Sequence, residues 1–187
     1  MSYVVLKNRA FTIGQYRIIP IREEDKFEIM EWRNTQLDIL RQSELLTREK
    51  QEAYFQNVVK KDFDKETPSQ ILFSYLLNDE LIGYGGVVHL NWTDRRGEIS
   101  FLLETKRNQD VAQFKTDYSA YLKLIKQVAF SELNLNKVTT EAFDLRPYLI
   151  ETLEANGFVQ EGRLKRQNFI GGRFVDSLLH ACFNSQV

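Results

Sequence analysis

The order of periodic segments predicts an α/β fold, a mixed central sheet of about seven strands flanked by about four helices. Three observations carry it. "RGEISFLLE" is an apolar-rich strand of the kind covered on both faces, and it feeds directly into a helix. That helix repeats apolar residues at helical spacing through Tyr118, Tyr121, Leu122, Ile125, Val128, Ala129 and Leu133. Two hairpin signals, "NDE" and "GGR", join strands before and after it.

In chain order, "YVVLKN" and "AFTIGQYRIIPI" read as an initial hairpin and a first strand. "EEDKFEIMEWRN" opens on acidic residues and places Phe27, Met30 and Asn34 on one helical face. "TREKQEAYFQNVVKK" is a second helix, capped by Thr47 and burying Tyr54, Phe55, Val58 and Val59. Two strands surround "NDE", then "RGEISFLLE" and the long helix follow, with Thr116 or Asp117 as its expected cap. "KVTTEAF" is a strand. "PYLIETLEANG" is a helix with Pro147 in its first turn and Gly157 past its end. The tail forms two strands around "GGR". No repeat or linker divides residues 1–187, so a single domain is expected, with 1–15 as an N-terminal hairpin extension.

Composition narrows the function. A formal net charge of -1 gives no electrostatic reason to expect nucleic acid or a membrane surface as partner. The basic run "GRLKR" reads as the solvated face of a strand. One cysteine, Cys182, and two histidines, His89 and His180, leave no Cys/His zinc site, so no metal is expected. There is no apolar run of membrane-spanning length and no signal-peptide core, and a cytoplasmic location is the expectation.

"PIREED", "MEWRN", "LIGYGGVVHL", "RGEISFLL", "VAFSELNLNKVTTEAF", "LEANGFVQEGRL" and "GGRFVDSLLHACF" together resemble the GNAT superfamily of N-acetyltransferases. They are nearest the branch of ribosomal-protein N-terminal and amino-sugar N-acetyltransferases. The resemblance implies the GNAT (acyl-CoA N-acyltransferase) fold. It also implies transfer of an acetyl group from acetyl-CoA, as co-substrate, to a primary amine. A small molecule such as an amino-sugar nucleotide is the expected acceptor. A protein N-terminus, or a catalytically inactive GNAT-fold binding module, is the alternative. Assembly as a monomer or homodimer is expected.

The reaction needs a base to free the amine, a donor for the oxyanion and an acid for the leaving thiolate. Glu98, between glycine and an apolar run, holds the position of the glutamate many GNAT enzymes use; it also has Arg95, Arg96 or a neighbouring strand to pair with. The oxyanion donor would be a backbone N–H at Leu102 or Leu103. His89 is a second candidate base or a structural histidine. The family's usual tyrosine acid is replaced by Leu153, leaving Tyr118 or Tyr148 for that role. Trp32, Arg33 and Asn34 fall where the family builds its acceptor wall, although Trp32 also suits the core.

The family's phosphate loop carries glycines, and here they become Phe114, Thr116 and Tyr118 behind Gln113. A second departure puts Arg146 where the family has asparagine. The helix's first-turn N–H groups, with Lys115 and the hydroxyls of Thr116 and Ser119, would still offer an anion site. On this expectation residues Phe114, Lys115, Thr116, Asp117, Tyr118 and Ser119 meet the cofactor, with the pyrophosphate at 117–119.

Overall fold

A computed structural model describes residues 2–42 and 44–185. Its strands are β1 (Phe11–Ile13), β2 (Tyr16–Pro20), β3 (Ile71–Leu77), β4 (Glu80–Asn91), β5 (Arg96–Leu103), β6 (Lys137–Phe143), β7 (Val159–Ile170) and β8 (Arg173–Phe183). Helices are α1 (Lys26–Asn34), α2 (Arg48–Tyr54), α3 (Lys60–Phe63), α4 (Thr105–Gln109), α5 (Val111–Lys126) and α6 (Pro147–Ala155). The eight strands form one mixed sheet in the order β1-β2-β3-β4-β5-β6-β8-β7. The sheet is one strand larger than expected because Gly14, at φ 57°, turns β1 back onto β2. "YVVLKN" is no strand. It is a turn-rich segment anchored by Tyr3, whose hydroxyl accepts from the Leu72 N–H at 2.9 Å while its ring packs 4.3 Å from Phe63.

Every neighbouring pair is antiparallel except β5 with β6. Their parallel register runs only through Arg96↔Lys137, Gly97↔Val138 and Glu98↔Thr139. Beyond Glu98 the strands part, and residues 99–103 face residues 140–143 across a gap.

The turns follow local chemistry. Asn78 and Asp79 take left-handed φ values of 51° and 68° between β3 and β4, as a type I′ hairpin requires. Gly171 and Gly172 do the same between β7 and β8, with φ of 58° and 80°. Thr47 caps α2, its hydroxyl accepting from the Lys50 N–H at 3.2 Å. Pro147 opens α6, and Gly157 at φ 84° follows it. A π-helical run, Phe55–Val59, interrupts the second helix and rotates its faces. Phe55 and Val59 are therefore buried, while Tyr54 and Val58 lie exposed rather than in the core. The α5 stripe is buried at all seven of its expected positions.

The start of α5 corrects the sequence expectation. Neither Thr116 nor Asp117 caps it; Asp110 does, its Oδ1 accepting from the N–H groups of Ala112 and Gln113 at 3.0 Å each. With no glycine to break it, the helix runs unbroken from Val111 through the segment for which the resemblance implied a phosphate loop. Asp117 then lies well inside the helix and is fully buried. Its carboxylate accepts from Tyr16 Oη (2.8 Å), Gln113 Nε2 (2.8 Å) and Arg107 Nη1 (3.2 Å), and its carbonyl accepts from Tyr75 Oη at 2.8 Å. One side chain thus ties β2, α4 and α5 together. Asp117→Ala should destabilise the fold by about 3 kcal/mol, the order expected for removing one partner of a buried ionic network. Urea denaturation reads it; a loss below about 1 kcal/mol would show that the network is not structural.

Candidate active site

The gap between β5 and β6 is a cavity of about 220 Å3. Its long walls are residues 98–103 of β5 and 140–143 of β6. Phe114 and Tyr118 of α5 form its floor, with Phe101 stacked on Tyr118 at 4.6 Å. Asn108, Arg146 and Leu149 also line it, as do Gln36 and Arg41 from the segment after α1.

Glu98 sits at the vertex where the strands part, with its side chain 18% exposed. Its partner is neither Arg95 nor Arg96. The Arg41 guanidinium donates to Glu98 Oε1 and also reaches Glu141 Oε2 on β6 at 3.5 Å. Two carboxylates on adjacent strands thus share one half-exposed cation, which crosses over from the α1–α2 connection. Asn34 fixes that connection: its Oδ1 accepts from the Leu46 N–H at 2.8 Å, and its Nδ2 donates to the Leu46 carbonyl at 2.9 Å.

Leu102 and Leu103 are buried along the β5 wall. Tyr118 is buried too, and that burial pushes its phenol well above the ordinary range, so the hydroxyl stays protonated. A protonated phenol beside the cavity can give a proton or a hydrogen bond; it cannot serve as a base at neutral pH. Tyr148 stands farther out, edge-on to Phe114 at 5.2 Å.

The remaining α5 residues lie apart from one another. Lys115 pairs with Glu151 of α6 at 2.6 Å, and Thr116 Oγ1 donates to the Ala112 carbonyl at 3.0 Å. Ser119 Oγ accepts from Asn156 Nδ2 at 3.0 Å, bracing α5 against α6. The backbone N–H groups of 117–119 belong to the body of the helix. They are not the first-turn donors expected for a pyrophosphate, and the true first turn holds the Asp110 carboxylate.

A second, more open cleft of about 530 Å3 adjoins the first at Arg33, Arg41 and Ser100. Tyr54, Ser69, Gln70, Tyr84 and His89 complete its polar lining, and among the described residues no aspartate or glutamate lines it. Arg33 is held there by Tyr84 Oη, at 2.6 Å from Nη1, and by Gln42 Oε1, at 2.8 Å from Nε. His89 is exposed at φ 51° in a bulge where the β4–β5 register shifts. Such a bulge re-aims a side chain out of the strand alternation. Trp32 does not build this wall: it points into the core at 8% exposure. Among the described residues no group of three or more His, Cys, Asp or Glu is placed to hold a metal ion.

Residues 18–179 match the family model described as an acetyltransferase (GNAT) domain. The chain belongs to that family, a class of acetyl-CoA-dependent N-acetyltransferases. Among solved structures, one similar to it is a spermidine N-acetyltransferase from Vibrio cholerae in complex with CoA and spermine. The two are 20% identical with a TM-score of 0.77, over 91% of this chain and 96% of that one. A chimera of the Vibrio cholerae enzyme with hSSAT superposes equally well, at 20% identity and TM-score 0.77 over 92% and 98% of the two chains. A dodecameric form of the Vibrio cholerae enzyme gives TM-score 0.72 at 20% identity over 92% and 95%. No curated protein matches the chain at the level of sequence. No helix among the described residues is long and apolar enough to cross a membrane.

Sequence reasoning missed Asp110, Arg41 and Gln36. Asp110 was legible in principle, since an aspartate before "VAQF" opens a helical stripe. Arg41 and Gln36 lie in a connection whose path nothing local specifies. Asp110→Ala should cost about 1 kcal/mol, the usual value of an N-cap, measured by urea denaturation. An unchanged stability would mean that α5 starts elsewhere.

Proposed function

We propose that the chain transfers an acetyl group from acetyl-CoA to the primary amine of a small anionic acceptor, of which an amino-sugar nucleotide is the type. The observation that carries the acceptor class is the second cleft, which presents Arg33, Arg41 and His89 and no carboxylate. A polyamine such as the spermine bound by the Vibrio cholerae enzyme needs carboxylates along its length. A phosphate or diphosphate instead suits a pair of guanidiniums, which can meet its oxygens with paired N–H donors.

In this reading the acceptor enters from the second cleft with its anionic part on Arg33 and Arg41, and its ammonium directed at Glu98. Glu98 takes the proton, directly or through a water, because only the neutral amine is nucleophilic. The amine attacks the thioester carbonyl, and the oxyanion is met by a β5 backbone N–H at Leu102 or Leu103. The tetrahedral intermediate expels the thiolate, Tyr118 supplies it a proton or a hydrogen bond, and the attached nitrogen releases its second proton to solvent to leave the amide. Arg41 links the two ends. The Glu98 carboxylate and an acceptor phosphate compete for the same guanidinium, so a bound acceptor draws Arg41 off the base.

The test is a panel of polyamines, peptides with free N-termini and amino-sugar nucleotides, assayed for acetyl transfer. The nucleotide-linked amines should react fastest; preferential acetylation of spermidine or of peptides would overturn the acceptor assignment. Glu98→Gln should lower kcat/KM for the preferred amine by roughly tenfold to several-hundredfold, the usual span for a general base. A variant as active as the parent across the pH range where the amine loses its proton would remove Glu98 from the mechanism.

A further inference from the structure

His180 of β8 is fully buried, and neither of its ring nitrogens has a hydrogen-bond partner. A buried polar group left unmatched destabilises the fold, and an apolar residue of similar volume would avoid that penalty. Stability alone does not explain a histidine here.

The groups on its two sides give it a use. The β6–β8 register sets His180 directly opposite Thr140. Their side chains share one face of the sheet, with β-carbons roughly 5 Å apart as in any such antiparallel pair. Thr140 lines the β5–β6 cavity, and its hydroxyl hydrogen-bonds the Tyr118 phenol on the cavity floor. On the other side, Glu154 Oε1 of α6 stands 3.9 Å from His180 Nε2. The Glu154 side chain is 56% exposed, so it trades protons with solvent and can close that distance by a change of rotamer. Tyr118, Thr140, His180 and Glu154 thus form a file of exchangeable groups from the cavity floor to the surface. Burial lowers the His180 pKa, and Glu154 is the charged group that opposes the shift, so the ring is neutral at pH 7. A neutral imidazole carries one N–H and one bare nitrogen, and it can pass a proton on while taking another.

The chemistry creates the need. A Tyr118 that has given its proton to the departing thiolate is a phenolate at a fully buried position, where burial strongly disfavours the charged form. The new thiol then fills the cavity in front of it.

We propose, resting on the acetyl-transfer reading above, that Thr140 and His180 are positioning residues that return a proton to Tyr118 from behind the cavity. The Thr140 Oγ–H proton moves to the phenolate, the His180 N–H proton replaces it on Thr140, and the other ring nitrogen takes a proton from solvent by way of Glu154. A ring flip between turnovers restores the tautomer. One proton enters along this file and two leave from the ammonium, so one net proton is released for each acetyl group moved.

Steady-state kinetics of the whole chain, with acetyl-CoA and the fastest amine of the panel above, tests this. His180→Leu and Thr140→Val should each lower kcat about tenfold while KM for acetyl-CoA stays within about twofold. That loss lies below the usual span for acid–base groups because a thiolate leaves readily. The double variant should lose no more than either single one, and both changes should be silent in a Tyr118→Phe background, as expected of residues acting as a unit. The Tm of His180→Leu should hold or rise, whereas loss of a structural histidine would lower it. Thr140→Val reads the proposal even if His180→Leu fails to fold. A folded variant with parent-like kcat would overturn it, as would losses that multiply in the double variant, losses that persist beside Tyr118→Phe, or a raised KM with kcat unchanged. Those results with normal acetyl transfer by the wild type sink the relay alone. Failure of the wild type to acetylate any amine sinks the acetyl-transfer reading, and the relay with it.

Discussion

The parting of β5 from β6 after a three-residue parallel register is the constraint on which the rest of the structure depends. A sheet interior normally satisfies its backbone groups by pairing, and a strand left open inside a protein exposes donors and acceptors that something must meet. Here Gln36 meets one of them, donating to the Leu103 carbonyl at 2.9 Å, while on the β4 side of the same strand Tyr121 donates to the Ser100 carbonyl at 2.9 Å. Gly85 permits the bond from Tyr121. A β-carbon there would stand 2.2 Å from the Ser100 carbonyl oxygen and 2.4 Å from the Tyr121 hydroxyl. The open edge is thus held ready by its surroundings, and it places Glu98 where the gap closes.

Helix α5 sets what that gap can accept. Its capture of Asp117 by three side-chain donors from β2, α4 and its own first turn leaves little freedom in where it begins. A helix so anchored puts Phe114 on the cavity floor and turns Lys115 and Ser119 toward α6. The cations that face the cavities, Arg33, Arg41 and Arg146, come instead from α1, the connection after it and the start of α6. The positive charge around the gap thus comes from elements other than α5.

Much of the fold was legible because its signals are local. The Asn78–Asp79 turn, Pro147 and Gly157 around α6, Thr47 before α2 and the stripe of α5 each follow from backbone preferences or from one face's periodicity. The misses have equally physical causes. Tyr54 and Val58 left the core because a π-helical run adds residues to the turn, which apolar spacing does not announce. Trp32 had two readings, the acceptor wall by resemblance and the core by its size and apolar surface, and it lies in the core. The site was only half readable. Glu98, Leu102, Leu103, Phe114 and Tyr118 do converge on one cavity, and Arg33 and His89 on another. The partner of Glu98 is Arg41, separated from it by 57 positions, and no local pattern encodes a contact of that span.

The central claim is that the gap between β5 and β6 is a donor site still open to a thioester. A crystal structure of the chain soaked with acetyl-CoA tests it most directly. Continuous density for the thioester arm is expected between residues 99–103 and 140–143, with the acetyl carbon at the Glu98 end. An empty gap at saturating ligand, or an arm bound outside it, would contradict the claim.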